Sequence, residues 1–214
     1  MRTMVAGRFI TLEGGEGAGK STQAALLADA LVELGVPVLR TREPGGASGA
    51  ETLRGLLLDG GIDWSPLAET LLHFAARAQH VAKTIQPALD AGMWVVCDRF
   101  YDSTTAYQGC GQGVDRGVIA TLIGILGVVP DVTLVLDVTE QAAATRRLQR
   151  GGGADRYERR DAGFHARVRQ GFRDIAAAEP SRCVRIAADG SREEVHAAIT
   201  QALRERVPLS SSEG

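Results

Sequence analysis

Eight consecutive residues, Gly14-Gly15-Glu16-Gly17-Ala18-Gly19-Lys20-Ser21, carry the densest chemical information in the chain. They satisfy G-x-x-x-x-G-K-[ST], in which glycines let the backbone curl until successive N–H groups point at phosphate oxygens. A helix starting behind such a loop adds the positive end of its dipole. In this pattern Lys20 reaches the β- and γ-phosphates of ATP, and the Ser21 hydroxyl ligates Mg2+. A chain with 26 glycines can match by chance. Here, however, a β-rich run precedes the loop and a helical pattern follows, as a phosphate-binding loop requires. The loop alone does not separate a kinase from a GTPase or an ATPase motor. Guanine-specific switches need an Asn-Lys-x-Asp element, and the chain has no asparagine.

Other charged groups sit where such a loop would need them. Asp98 and Arg99 follow an apolar run; Asp98 is a candidate Mg2+ ligand through water, and Arg99 a candidate for an acceptor phosphate. The alternative reading is a surface ion pair at a strand end. Arg42-Glu43-Pro44-Gly45-Gly46 forms another rigid, charged loop. Nine arginines and three acids lie between Arg146 and Arg173, interrupted by Gly151-Gly152-Gly153. A hinged, arginine-bearing flap would exclude water and neutralise charge on a moving phosphoryl group. Arg150, Arg156 and Arg159, nearest the glycines, are the candidates, whereas Arg167, Arg169 and Arg173 read as a solvated helix face. Phe74 and Arg77 share a helix face. An aromatic there could stack on a base while the guanidinium donates to its carbonyl, but as residues alone they read first as a core aromatic beside a paired charge.

Positioning these groups falls to alternating strands and helices. Near-continuous apolar runs at Phe9–Leu12, Val36–Thr41, Trp94–Cys97, Thr133–Leu136 and Val184–Ile186 read as strands covered on both faces. A helical pattern from Lys20 to Leu34 ends at Gly35, a C-terminal cap. A long one opens on Ser65 and Pro66 and runs toward Asp90, with Pro87 bending or ending it. Ser191 and Glu194 have capping-box spacing ahead of a final helix. The alternation implies right-handed βαβ units and a parallel sheet, with ligands beyond the carboxyl ends of the strands. One α/β domain over residues 1–208 is expected, with a lid at about 147–160 and a frayed tail at 209–214.

Composition excludes several classes. A net charge of -2 argues against a general nucleic-acid binder. The three scattered cysteines have no metal-ligand spacing and read as reduced thiols. The N-terminus lacks the apolar segment of a signal peptide, and the weakly polar run from Gly117 to Val129 is too short to span a membrane. These features point to a cytoplasmic protein with no membrane partner. Only Lys20 and Lys83 are lysine, which makes a lysine in the loop harder to dismiss as chance.

Taken together, the motifs resemble the thymidylate kinase family in the form common in bacteria. The resemblance covers nearly the whole chain. It rests on Gly14 to Thr22, Thr41-Arg42-Glu43-Pro44-Gly45-Gly46, Phe74-Ala75-Ala76-Arg77, Asp98-Arg99-Phe100, Ser103 to Gly109 and Pro130 to Asp137. It implies a P-loop nucleoside-monophosphate-kinase fold: a five-stranded parallel sheet flanked by helices on both faces, with a small lid. It also implies transfer of the ATP γ-phosphoryl group to dTMP with Mg2+, and a homodimer formed through helix faces. Phe74 would stack on thymine and Arg77 would donate to its O4. Thr104 and Gln108 would meet the base edge, and Tyr107 the sugar. Glu16 would face the 3′-hydroxyl, and Arg42 and Arg99 would hold the acceptor phosphate. Because no arginine stands inside the loop, the lid would supply the one at the transferred group, and Arg156 matches best. Gly14, Gly15, Glu16, Gly17, Ala18, Gly19, Lys20, Ser21 and Thr22 would bind ATP, with Ser21 and Asp98 serving the metal. Lys20, Arg99, Arg156 and Glu16 would form the catalytic set. An acceptor phosphate is already anionic, so no general base is needed and positioning plus charge neutralisation suffice. A kinase for another pyrimidine monophosphate and a nucleotide-sensing module without transfer activity are the alternatives.

Overall fold

A computed structural model describes residues 7–150 and 156–207. Five parallel strands form one sheet in the order β2-β3-β1-β4-β5: β1 (Phe9–Glu13), β2 (Val38–Arg42), β3 (Trp94–Asp98), β4 (Val132–Asp137) and β5 (Cys183–Ala187). The three inner strands are apolar almost throughout and buried on both faces, as expected of a sheet covered twice. The outer strands differ from that expectation. β2 and β5 are only partly covered, and they carry Arg40, Arg42 and Arg185, because an edge strand meets solvent on its free side.

Alternate side chains of β1 sort the core. Ile10 and Leu12 pack with α1 (Lys20–Glu33) and α9 (Arg192–Arg206). Phe9 faces the opposite layer, where Phe74 lies on α3 (Pro66–His80) and Ile119 on α6 (Arg116–Leu126). A third apolar group gathers Tyr107 with Phe164, Val168 and Phe172 of α8 (Ala162–Ala178). α2 (Ser48–Leu58) packs on α3, and α7 (Glu140–Arg150) follows β4.

Local signals set the ends of these elements. Gly35 adopts φ 77 after α1, and Ser191 with Glu194 forms the full capping box of α9. Ser65 accepts from the Ala68 N–H, with Pro66 in the first turn of α3. Pro87 does not end this helix. The chain widens into a π-helical turn at Val81–Ile85 and continues as α4 (Gln86–Asp90), so the missing proline N–H falls where the backbone ladder has already changed register. A short helix α5 (Tyr101–Thr104) runs into a second π-helical stretch, Thr105–Gly111. Gly151-Gly152-Gly153, the predicted hinge, and the tail at 209–214 lie outside the described residues.

Candidate active site

The loop after β1 turns back over the sheet edge through Gly14 at φ 140 and Gly17 at φ 77. A side chain at Gly14 would stand 2.5 Å from the Leu136 carbonyl, and one at Gly17 would stand 2.6 Å from that of Ala143. Both positions thus need glycine for conformation and for room. α1 begins at Lys20, so its free N–H groups face the loop. The Lys20 ammonium donates to the Gly15 carbonyl at 2.8 Å, which engages one of its three hydrogens. Burial and the neighbouring Arg99 lower its pKa to about 8, against the attraction of Glu16 and Asp98. Ser21 Oγ donates to Asp98 Oδ2, while Oδ1 of Asp98 is buried without a hydrogen-bond partner among the described residues. A hydroxyl beside one carboxylate with an unengaged oxygen suits Mg2+, which keeps waters and binds mainly through phosphates.

Arg99 lies at the hub. It is a non-glycine residue at φ 73, a left-handed conformation that costs about 1–3 kcal/mol. The surroundings hold it there. Nη1 donates to the Gly14 carbonyl and to Ser103 Oγ, and Nη2 donates to Glu16 Oε1 at 2.6 Å and to the Tyr107 hydroxyl. Burial would raise the Glu16 pKa; Arg99, Lys20 and the Tyr107 hydroxyl reverse that and hold it at about 2. Glu13, at the end of β1, accepts from the backbone N–H groups of Phe100 and Ser103 and so fixes the turn that carries Arg99.

These groups line a cleft of about 600 Å³ that runs from Lys20 and Ser21 to His73, Gln108 and Tyr157. Arg42, Arg77, Thr104 and Tyr107 also line it, so most of the predicted substrate residues are brought together. Arg77 is buried: Nε donates to Glu43 at 2.6 Å, Nη1 to Thr104 and Nη2 to the Phe100 carbonyl. Glu43 also binds His80, so a carboxylate from the β2 loop sets the guanidinium in place. Phe74 lies under Arg77, its ring centroid 4.9 Å from the guanidinium carbon, and is not among the residues that line the cleft. Arg42 is half exposed and pairs with Glu51.

The lid arginines separate. Arg156 turns to the far end of the cleft from the loop and pairs with buried Glu69 at 2.7 Å. Arg159 lies beside Gly60. Arg147 on α7 donates to the Glu16 carbonyl and to Glu140. Arg169, expected on a solvated face, packs against Gly15 and pairs with Glu140. Sequence reasoning therefore passed over Arg147 at the loop, and Glu69, His73 and Tyr157 at the other end. One signal for the last group was present. Glu69, His73, Arg77 and His80 recur at helical spacing and form one polar stripe of α3, all four buried.

A family model described as thymidylate kinase matches residues 12–199. The chain belongs to the thymidylate kinase family. It is 55% identical over 206 residues to the thymidylate kinase of Rhizorhabdus wittichii, covering 94% of this chain and 99% of that one. It is 52% identical over 209 residues to that of Chromohalobacter salexigens, covering 95% and 98%. The crystal structure of thymidylate kinase from Ehrlichia chaffeensis superposes with a TM-score of 0.77 at 38% identity, over 92% of this chain and 99% of that one. The chain is thus a nucleoside monophosphate kinase with the P-loop kinase fold. Among the described residues, no helix is long and apolar enough to cross a membrane.

Proposed function

We propose that this chain transfers the γ-phosphoryl group of ATP, the family's co-substrate, to dTMP, and that it does so by alignment and charge neutralisation alone. The observation that carries this reading is one continuous cleft joining the Lys20 loop to the buried Arg77, Thr104 and Gln108 group. The loop from Gly14 to Thr22 cradles the donor phosphates, and Lys20 follows the γ-phosphate to the transition state. Arg99 and Arg42 hold the acceptor phosphate in line, with Glu16 fixing Arg99 and facing the sugar beside Tyr107. Arg77, resting on Phe74, donates to the base carbonyl, and Thr104 and Gln108 meet the base edge. Ser21 and Asp98 would hold Mg2+, which neutralises charge on the donor phosphates when bound. Arg156 serves the transferred group only if the lid carries it away from Glu69.

The exposed apolar side chains of Leu67 and Leu71 on α3, and of Ile125 on α6, support a homodimer through helix faces. Three free cysteines support a reducing, cytoplasmic setting. The test is a panel of dTMP, dUMP, dCMP and UMP assayed with Mg-ATP on the purified protein and on Arg156→Ala and Arg147→Ala. dTMP should give the highest kcat/KM; comparable values for all four acceptors would remove the thymine assignment. Arg156→Ala should lower kcat far more than it weakens dTMP binding. If only Arg147→Ala does so, the duty at the transferred group belongs to α7.

A further inference from the structure

Behind the base end of the cleft, against Gln108 and Tyr157, lies a carboxylate that the phosphoryl-transfer chemistry leaves unused. Glu69 is 0% exposed, yet a single oxygen, Oε1, accepts from Gln108 Nε2 at 2.7 Å, Gln112 Nε2 at 2.8 Å and the Tyr157 hydroxyl at 2.9 Å. The other oxygen faces Arg156. A buried carboxylate surrounded by donors imposes direction on each of them, because it can only accept. The Tyr157 hydroxyl spends its proton on Glu69, so it must accept from His73 Nε2 at 2.7 Å. Burial and the nearby arginines push the His73 pKa down to about 3, so the ring is neutral with its proton on Nε2. The same logic sets the Gln108 amide. Its nitrogen faces Glu69, neither of its described hydrogen bonds uses Oε1, and Gln108 lines the cleft.

We propose that Glu69 is a specificity-positioning residue: it turns the carbonyl oxygen of Gln108 toward the acceptor base, selecting a pyrimidine with an N–H at ring position 3 over cytosine. This rests on the dTMP kinase reading and deepens it. Thymine and uracil present a donor at position 3 and an acceptor at position 4; cytosine presents the reverse pair. A polar group oriented in a dry pocket rejects the mismatched partner strongly, because one side stays unpaired. Through Arg156 and Tyr157, the same carboxylate fastens one edge of the lid to the wall that reads the base.

Glu69→Gln keeps the shape and reverses the instruction. Arg156 only donates, so the new amide oxygen must face it, which leaves the new nitrogen to face Gln108. The Gln108 amide then turns over and shows N–H to the base. Full-length enzyme with Mg-ATP is assayed for kcat/KM on dTMP, dUMP and dCMP. dUMP and dCMP differ only along the edge in question, whereas dTMP and dUMP differ only by the methyl group. The dUMP:dCMP ratio should fall by about tenfold or more in the variant, with the dTMP:dUMP ratio unchanged. Equal losses on all three acceptors mean that Glu69 is structural only, and overturn the proposal. Wild type inactive on all three overturns the underlying assignment instead. Should Glu69→Gln not fold, Gln108→Met removes the amide and leaves Glu69 its other three partners. The dUMP:dCMP ratio must then fall to the share that Arg77 keeps by donating at position 4, and a retained wild-type ratio overturns the proposal.

Discussion

The two ends of the cleft are assembled by different rules. At the phosphate end a single stretch of chain, Gly14 to Thr22, shapes the site through backbone conformation, and glycine is required wherever a neighbouring carbonyl comes close. At the base end no single stretch of chain suffices. Glu69 meets Gln108 across 39 residues and Tyr157 across 88, and the site exists only as a set of side chains brought together by α3, the second π-helical stretch and the lid edge. A site made of backbone tolerates changes of side chain around it; one made of side chains depends on each partner's chemistry. Phosphate binding is thus the generic half of the molecule, and base reading is the half that distinguishes it.

Three measurements test this contrast. The largest effect belongs to the phosphate end. Lys20→Met should lower kcat by about 10³-fold, as for loss of one preorganised donor at developing charge, while equilibrium binding of dTMP stays close to wild type. If dTMP affinity falls in step with kcat, the two ends are not separable. Next comes Glu43→Gln, which leaves the Arg77 guanidinium buried without its counter-charge. Urea unfolding without nucleotide should show a loss of about 3 kcal/mol, and dTMP affinity should fall while ATP affinity does not. An unchanged midpoint would mean that Arg77 finds another partner.

The smallest effect is a pH slope. The folded-state pKa of His73 is about 3, below the ordinary 6.5, so between those values the unfolded chain binds the extra proton. Stability is therefore undiminished above 6.5 and is lost as pH falls toward 3. Between about pH 7 and about pH 5, wild-type Tm should drop more than that of His73→Gln. Parallel curves would show that His73 is not held neutral.

Legibility in the sequence follows the same division. The Gly14–Ser21 motif, the Gly35 cap and the Ser191–Glu194 box are local codes, and each forms as written. The five strands were legible from apolar runs, but not that β2 and β5 are edges, since apolar content does not state strand order. Arg77 could be placed on a functional face; the carboxylate that fixes it, Glu43, was legible as part of a charged loop, but nothing local pairs it with an arginine 34 residues away. Arg156 matched a motif, yet its partner Glu69 lies on α3, and proximity to the glycines did not reveal that pairing. The polar stripe of α3 was readable in principle. Leu67 and Leu71, half exposed on the same helix, disguise it, because the apolar residues that usually mark the inner face point outward here.

The π-helical turn at Val81–Ile85 has an evolutionary consequence. A wide turn holds one residue more than an α-turn and leaves the segments before and after it in phase. Loss of a single codon in this stretch would therefore tighten the helix without swinging the Glu69–His80 stripe out of the site, provided that Pro87 were exchanged as well. Elsewhere along α3, the same one-codon loss would rotate every later side chain by about 100° and scramble the base wall. Length variation among relatives should accordingly collect at this turn and be absent from the helix ahead of it.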